Sequence, residues 1–176
     1  PSVTTVVGAK KKQSLMEWRK RVGEQEANRI SRTASNRGNR VHAIAENYLK
    51  HEPIDWAKEM PDAVAMFRSL IKPIHRINNI YYQEDALWSE TLGLAGRVDL
   101  IAEFDGVLSV IDFKTSDKEK REDWIENYFV QETAYAVMFY ERTGIQPVKI
   151  VTIIATEEGH CQVFQKYDLN RYFVLL

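Results

Sequence analysis

In the stretch Gly96–Ser116, GRVDLIAEFDGVLSVIDFKTS, two apolar runs are each interrupted by one aspartate, Asp99 and Asp112, and Lys114 follows the second by two positions. Asp105-Gly106 lies between the runs and is a two-residue type I′ turn signal, so a hairpin is expected. That turn sets Phe104 against Val107, Ile101 against Val110 and Asp99 against Asp112. Directly opposed side chains leave the same side of a sheet with Cβ atoms about 4.5–5.5 Å apart, which brings the two carboxylates together. Arg97 is expected to oppose Lys114. Because the side-chain period of a strand is two, Asp112 and Lys114 share a face. The other face, Val98/Phe113, Leu100/Ile111, Ala102/Ser109 and Phe104/Val107, reads as core.

Two partly shielded carboxylates at that separation repel by on the order of a few kcal/mol at an effective dielectric near 20. Three arrangements can offset this. The pair can share a proton, with one pKa raised. Arg97 and Lys114 can neutralise it as a surface salt-bridge ladder. A divalent metal can bridge it, since two carboxylates and a backbone carbonyl form a hard ligand set suited to Mg²⁺ or Mn²⁺. The hairpin alone does not choose between the ladder and the metal.

Two further groups bear on the choice. In Gly38-x-x-x-His42-x-x-x-Glu46, the apolar stripe Val41, Ala45 and Leu49 places His42 and Glu46 at its edge. An imidazole beside a carboxylate there can complete a metal shell or orient an attacking water, or simply be hydrogen-bonded at the rim of a core. Gly38, one turn earlier, permits close approach of another backbone or of a phosphate. In Gln131-x-x-x-Tyr135, an amide and a phenol lie on one helix face near Trp124, Tyr128 and Met138. That face could grip phosphates or stack on bases, or be core with polar edges.

The elements that must position these residues follow from periodicity. Helices are expected over 13–31, 35–50 and from Pro61 to about Ile77, with Pro61 in the first turn. Strands are expected at 80–92, 94–104 and 107–115. A long helix from about Glu122 to Arg142 ends at Gly144, strands near 148–156 and 161–167 form a hairpin around Glu158-Gly159, and a helix follows Asp168. This order predicts an α/β fold of mixed α+β character.

With 176 residues and 44% hydrophobic content, the chain can bury one good core, and a single domain over 1–176 is expected, with a helical part up to about residue 77. One cysteine, Cys161, excludes a disulfide framework and a four-cysteine metal site within the chain. No apolar run has membrane-span length and no signal peptide opens the sequence, so an intracellular protein without membrane contact is expected. Pro1 at the start and a helical pattern running to Leu176 read as trimmed ends. Residues 1–50 carry +7 and residues 51–176 carry −8, counted as Lys and Arg against Asp and Glu. The basic part could face a nucleic-acid backbone or be a solvated helix surface.

Taken together, Gly38/His42, Gly96/Asp99, Asp112/Lys114 and Gln131/Tyr135 resemble, in order and spacing, the RecB-type branch of the PD-(D/E)XK nuclease superfamily. Within it they resemble the family of mitochondrial genome maintenance and related phage-type exonucleases. That family shares the Pro1–Thr4 opening PSVT, Trp18 with basic neighbours, the S-E-T-L of Ser89 to Leu92 and V-I-D-F-K-T-S from Val110 to Ser116. The acid of D-x-K is Asp rather than the commoner Glu, which this branch tolerates, and the lack of a cysteine quartet separates the chain from relatives with an iron–sulfur cluster.

The resemblance implies a restriction-endonuclease-like core, a central mixed sheet flanked by helices. It implies metal ligands Asp99, Asp112, His42 and the Phe113 carbonyl for Mg²⁺ or Mn²⁺, with Lys114 orienting or activating water and His42 counted with the catalytic set. It implies Gln131 and Tyr135 as supports of the site or of the DNA backbone, and Glu46, Thr115 and Gly38 as lesser participants. Arg32, Arg37 and Arg40, beside the His42 helix, are candidate phosphate contacts. The implied activity is exonucleolytic hydrolysis of DNA, single-stranded and cut from an end, by a monomer acting in DNA replication, repair or recombination. Mitochondrial, bacterial and phage origins fit equally. A structure-specific endonuclease and a catalytically silent nucleic-acid-binding module are the alternatives.

Overall fold

The computed structural model describes residues 1–176. The chain opens with α1 (Val3–Gly8), α2 (Lys12–Val22), α3 (Glu24–Leu49) and α4 (Pro61–Ile74). A meander follows, β1 (Ile77–Ser89), β2 (Leu94–Phe104) and β3 (Val107–Ser116), then α5 (Glu126–Thr143), β4 (Lys149–Thr156), β5 (Cys161–Lys166) and α6 (Leu169–Phe173). The five strands form one sheet in chain order, antiparallel except for β3 and β4, which α5 joins in parallel. This is the mixed sheet flanked by helices that the sequence predicts.

Helices cover both faces. Against one, α5 packs Phe129, Ala134, Met138 and Phe139, joined by Val3 of α1 and Tyr172 of α6. Against the other, α3 and α4 pack Val41, Ile44, Phe67 and Leu70. Every residue of β4 is buried, as expected of a central strand pairing in parallel under two helical layers. Both faces of the β2–β3 hairpin are therefore core. Met138, expected on a site-facing stripe, is fully buried, and Trp124 lies in a separate 3-10 turn, Glu122–Trp124, ahead of α5.

Among the element boundaries that differ from expectation, those of α3 and β1 bear on the site. Residues 24–49 form one unbroken helix, and the break falls at Gly23 rather than in the polar stretch near 31–35. Gly23 adopts φ 89°, which a residue without Cβ tolerates, and the buried positions Ala27, Arg37, Val41, Ile44 and Ala45 hold the rest of the helix to its neighbours. Strand β1 starts earlier and stops at Ser89, with irregular pairing near Asn79 and positive φ at Asn79 and Glu84.

Candidate active site

The site forms where β2 and β3 part. Their ladder runs from Phe104–Val107 to Leu100–Ile111, as the turn predicts, and ends there. Beyond it, Asp99 Oδ2 accepts the Phe113 backbone N–H at 2.9 Å. The expected Asp99–Asp112 rung is thus replaced by a side chain reaching across the opening seam. Two opposed, buried carboxylates would repel, whereas Asp99 gains a donor by bending inward. The period of two breaks at the same point: Val98 joins the core beneath α5, while Leu100 joins the core beneath α3 and α4. Arg97 consequently does not face Lys114. It stands opposite Ala86, with Nε 2.9 Å from a carboxylate oxygen of Glu84.

Lys114 is the cation that meets the aspartates. Its Nζ lies 2.5 Å from Asp112 Oδ2, 3.3 Å from Gln131 Oε1 and 5.1 Å from the Tyr128 ring centroid. Burial disfavours the ammonium, but the charges of Asp112 and then Asp99 more than offset it and lift the lysine above its ordinary pKa. Burial and the neighbouring Asp112 charge push the Asp99 carboxyl well up, with Lys114 and the Phe113 N–H acting the other way. His42 Nδ1 is 3.5 Å from Asp99 Oδ2. Burial lowers the His42 pKa against the pull of Asp112, which leaves a neutral imidazole at neutral pH. The helix α3 therefore does bring His42 over the aspartates.

These residues fit a divalent cation. Asp112 is 4% exposed, and the group that meets its Oδ2 is the Lys114 ammonium, 2.5 Å away. Two adjacent buried carboxylates and a neutral imidazole form a donor set that a divalent cation can use. Donor atoms of His42, Asp99 and Glu84 all lie within 4.8 Å of one another.

The motif glycines have a steric reason. A Cβ on Gly96 would stand 2.6 Å from the Tyr135 hydroxyl, and one on Gly38 would stand 3.1 Å from Thr115 Oγ1. Gly96 thus lets α5 close over β2, and Gly38 lets α3 close over β3. Gln131 also donates from Nε2 to Thr4 Oγ1 at 3.1 Å, so the N-terminal PSVT segment abuts the site. That segment is held by an Ala95 N–H to Pro1 carbonyl bond of 3.1 Å.

The remaining candidates are placed less directly. Arg37 is buried and ion-paired with Glu157, and Arg40 is paired with Glu59. Both guanidinium groups are thus already partnered by protein carboxylates, while Arg32 is exposed. Glu46 pairs with Lys50 at 2.7 Å, outside the donor group around Asp99.

Sequence reasoning missed Glu84, Thr4 and Glu132. Glu84 sits in a polar, bulged edge strand with no periodic signal. Glu132 directly follows Gln131, and only its place on the inner face of α5 could have marked it. It is fully buried, and one carboxyl oxygen accepts the Thr152 hydroxyl while Oε2 has no partner. Thr152 stands beside Asp112 on the adjacent strand. Burial first, and the Asp112 charge second, push the Glu132 carboxyl well up, opposed by the Thr152 bond. The folded pKa exceeds the unfolded one, so the folded state binds the extra proton and stability falls as pH rises from the unfolded value through the folded one. Glu132→Gln keeps an acceptor for Thr152 and cannot ionise. In EDTA its Tm is expected to match that of the wild type near pH 4 and to exceed it by several degrees at pH 8. A Tm difference independent of pH would contradict a neutral carboxyl.

The fold and site define a class. The chain belongs to the PD-(D/E)XK nuclease superfamily, whose family model matches residues 15–170. It is 30% identical over 131 residues to mitochondrial genome maintenance exonuclease 1 of Homo sapiens. That alignment covers 68% of this chain and 38% of the human protein, so the match spans well under half the length of that relative. Among solved structures, a protein of Eubacterium rectale provisionally named an exonuclease superposes with a TM-score of 0.52 at 11% identity, covering 79% of this chain and 61% of that one. At that identity the likeness is one of fold. No helix is long and apolar enough to cross a membrane.

Proposed function

We propose that this chain is a metal-dependent deoxyribonuclease that hydrolyses single-stranded DNA from an end. The observation that carries the reading is the buried Asp112 carboxylate in ion contact with Lys114, with Asp99 and His42 beside it. In this reading Asp99, Asp112, the Phe113 carbonyl and His42 hold Mg²⁺ or Mn²⁺. When bound, such a cation polarises a phosphoryl oxygen and lowers the pKa of water. Lys114, in ion contact with Asp112, stands where it can orient or activate a water and offset the charge that develops on a phosphate oxygen. Gln131 holds the Lys114 ammonium in line, and Tyr135 closes the site over Gly96.

The single-stranded preference is supported by a groove beside Lys114. Trp18, Arg29, Thr115, Lys120 and Tyr128 are among its lining residues, together with Asp117 and the Arg37–Glu157 ion pair. Aromatic faces stack on unpaired bases and cations follow the phosphates, a combination that suits a strand without a complement. The basic N-terminal third supplies α2 and much of α3 to this side of the molecule.

End-labelled single-stranded, duplex and circular single-stranded DNA, each incubated with Mn²⁺ and with EDTA, test the reading. Linear single strands are expected to shorten from an end in Mn²⁺, circles to persist, and EDTA to stop the reaction. Equal attack on circles would make the activity endonucleolytic, and intact DNA in both Mn²⁺ and Mg²⁺ would leave a binding module.

A further inference from the structure

We propose that Lys11 and Lys120 form, against the Tyr128 ring, a binding subsite for one phosphodiester of the strand, next to the phosphate held at Lys114. This rests on the nuclease reading above and adds to it a place for the phosphate beside the one that is cut.

Two separate parts of the chain bring the lysines together. Lys11 ends the 3-10 turn Ala9–Lys11 between α1 and α2. The segment before it is fixed to the sheet by the Pro1–Ala95 bond and to Gln131 by Thr4. Lys120 lies in the loop after β3, which Gln162 of β5 grips with both ends of its amide. Oε1 accepts the Lys120 N–H at 2.7 Å, and Nε2 donates to the Lys120 carbonyl at 3.0 Å. Ser116 secures the start of that loop, donating to the Lys118 carbonyl at 2.5 Å and accepting the Lys118 N–H at 3.3 Å.

Tyr128 sets the subsite beside the chemistry. The Lys11 ammonium lies 5.4 Å from its ring centroid and the Lys114 ammonium 5.1 Å from the same centroid. One ring therefore stands against both. Tyr128 and Lys120 also line the groove described above, so a strand lying in it with one phosphate at Lys114 carries its neighbour to Lys11 and Lys120.

The charges there are incomplete without an anion. An ammonium has three donors. Lys11 spends one on the Trp124 carbonyl at 3.0 Å and pairs with no carboxylate. Lys120 has only a loose contact, 3.9 Å, with the exposed Asp117. The acids of the next turn are engaged elsewhere, Glu122 with Lys166 and Asp123 with Arg121. Partial burial, and then the Lys120 charge, lower the Lys11 pKa. Two cations set near each other at a groove wall repel in the empty protein, and a phosphate between them turns that repulsion into attraction. If Lys11 served only the Trp124 carbonyl, a neutral donor would suffice, and facing Lys120 would be a cost without return.

Binding of fluorescein-labelled oligothymidylate to the full chain in EDTA, followed by anisotropy over a range of salt, tests this, with cleavage kinetics in Mn²⁺ beside it. Lys11→Gln and Lys120→Gln are each expected to bind the strand about three- to tenfold more weakly. The double variant is expected to lower the slope of log affinity against log salt by about 0.7, the share of one phosphate in a single strand. KM is expected to rise with kcat unchanged, because the contact is made equally in the ground and transition states. Lys11→Arg keeps the charge and is expected to keep the affinity. Lys72→Gln, on the exposed side of α4, is expected to change neither affinity nor slope. A wild-type slope in the double variant, a loss in Lys72→Gln as large as in the subsite variants, a Lys11→Arg as weak as Lys11→Gln, or a fall in kcat at unchanged KM overturns the subsite and leaves the nuclease reading standing. A strand bound with this lysine dependence but left uncut keeps the subsite and removes the nuclease reading. A wild type that neither binds nor cuts overturns both.

Discussion

Asp112→Asn is expected to lower the rate of DNA hydrolysis by about a thousandfold or more and to leave the chain folded. Asparagine keeps the shape of the side chain and removes its charge. Asp112 is the buried acid in contact with Lys114, and it is assigned here to the cation, so the substitution removes a ligand and frees the lysine at once. Charge stabilisation by a bound cation is worth several kcal/mol, and about 4 kcal/mol corresponds to a thousandfold in rate. The fold is expected to survive because two effects oppose. The Asp112–Lys114 contact is lost, but so is the Asp112 charge that pushes up the carboxyls of Asp99 and Glu132. Initial rates on labelled single-stranded DNA and a melting curve in EDTA check both halves. A near-wild-type rate would remove the assigned mechanism.

Lys114→Met is expected to cost about a hundred- to a thousandfold in rate, the scale of losing one preorganised donor to developing charge. It also leaves Asp112 buried without its cation. Removing one partner of a fully buried pair costs about 3–5 kcal/mol, and the partial exposure of Lys114 places this pair below that range. The Tm of the variant is therefore expected to fall in EDTA and to recover on adding Mn²⁺, because a bound divalent cation stabilises the folded state and replaces the missing ammonium. A drop that Mn²⁺ does not repair would detach Lys114 from the cation site. Lys114→Arg separates two roles. If its task is donation, arginine, which donates but cannot take up a proton, is expected to retain a measurable part of the activity. Complete loss with a folded variant would favour abstraction.

Much of the fold was legible because its signals are local. Asp105-Gly106 set the hairpin and its five rungs, Gly144 with φ 72° closed α5, and Gly159 with φ 83° lies in the turn of the last hairpin. Pro61 opened α4 as a first-turn proline should. The break at Gly23 was less legible, since the polar stretch near 31–35 looks equally able to stop a helix. Packing of Ala27 and Arg37 on neighbouring elements decided the matter.

The candidate site divides along the same line. Residue types, spacing and order carried the chemistry: two acids and a lysine around a tight turn, a histidine on a helix edge, an amide and a phenol four positions apart. Such patterns are read within single elements, where periods of 2 and 3.6 assign faces without knowledge of the partner. Distances between elements are another matter. That Asp99 abandons its rung for the Phe113 N–H, that Arg97 turns to Glu84, that Arg37 is spent on Glu157, and that Glu84 and Glu132 stand beside the acids all depend on how α3, α5 and β1 close on the end of the sheet. Desolvation and repulsion among carboxylates act only once those surfaces meet, so the pairing of charges was settled by packing and not by pattern.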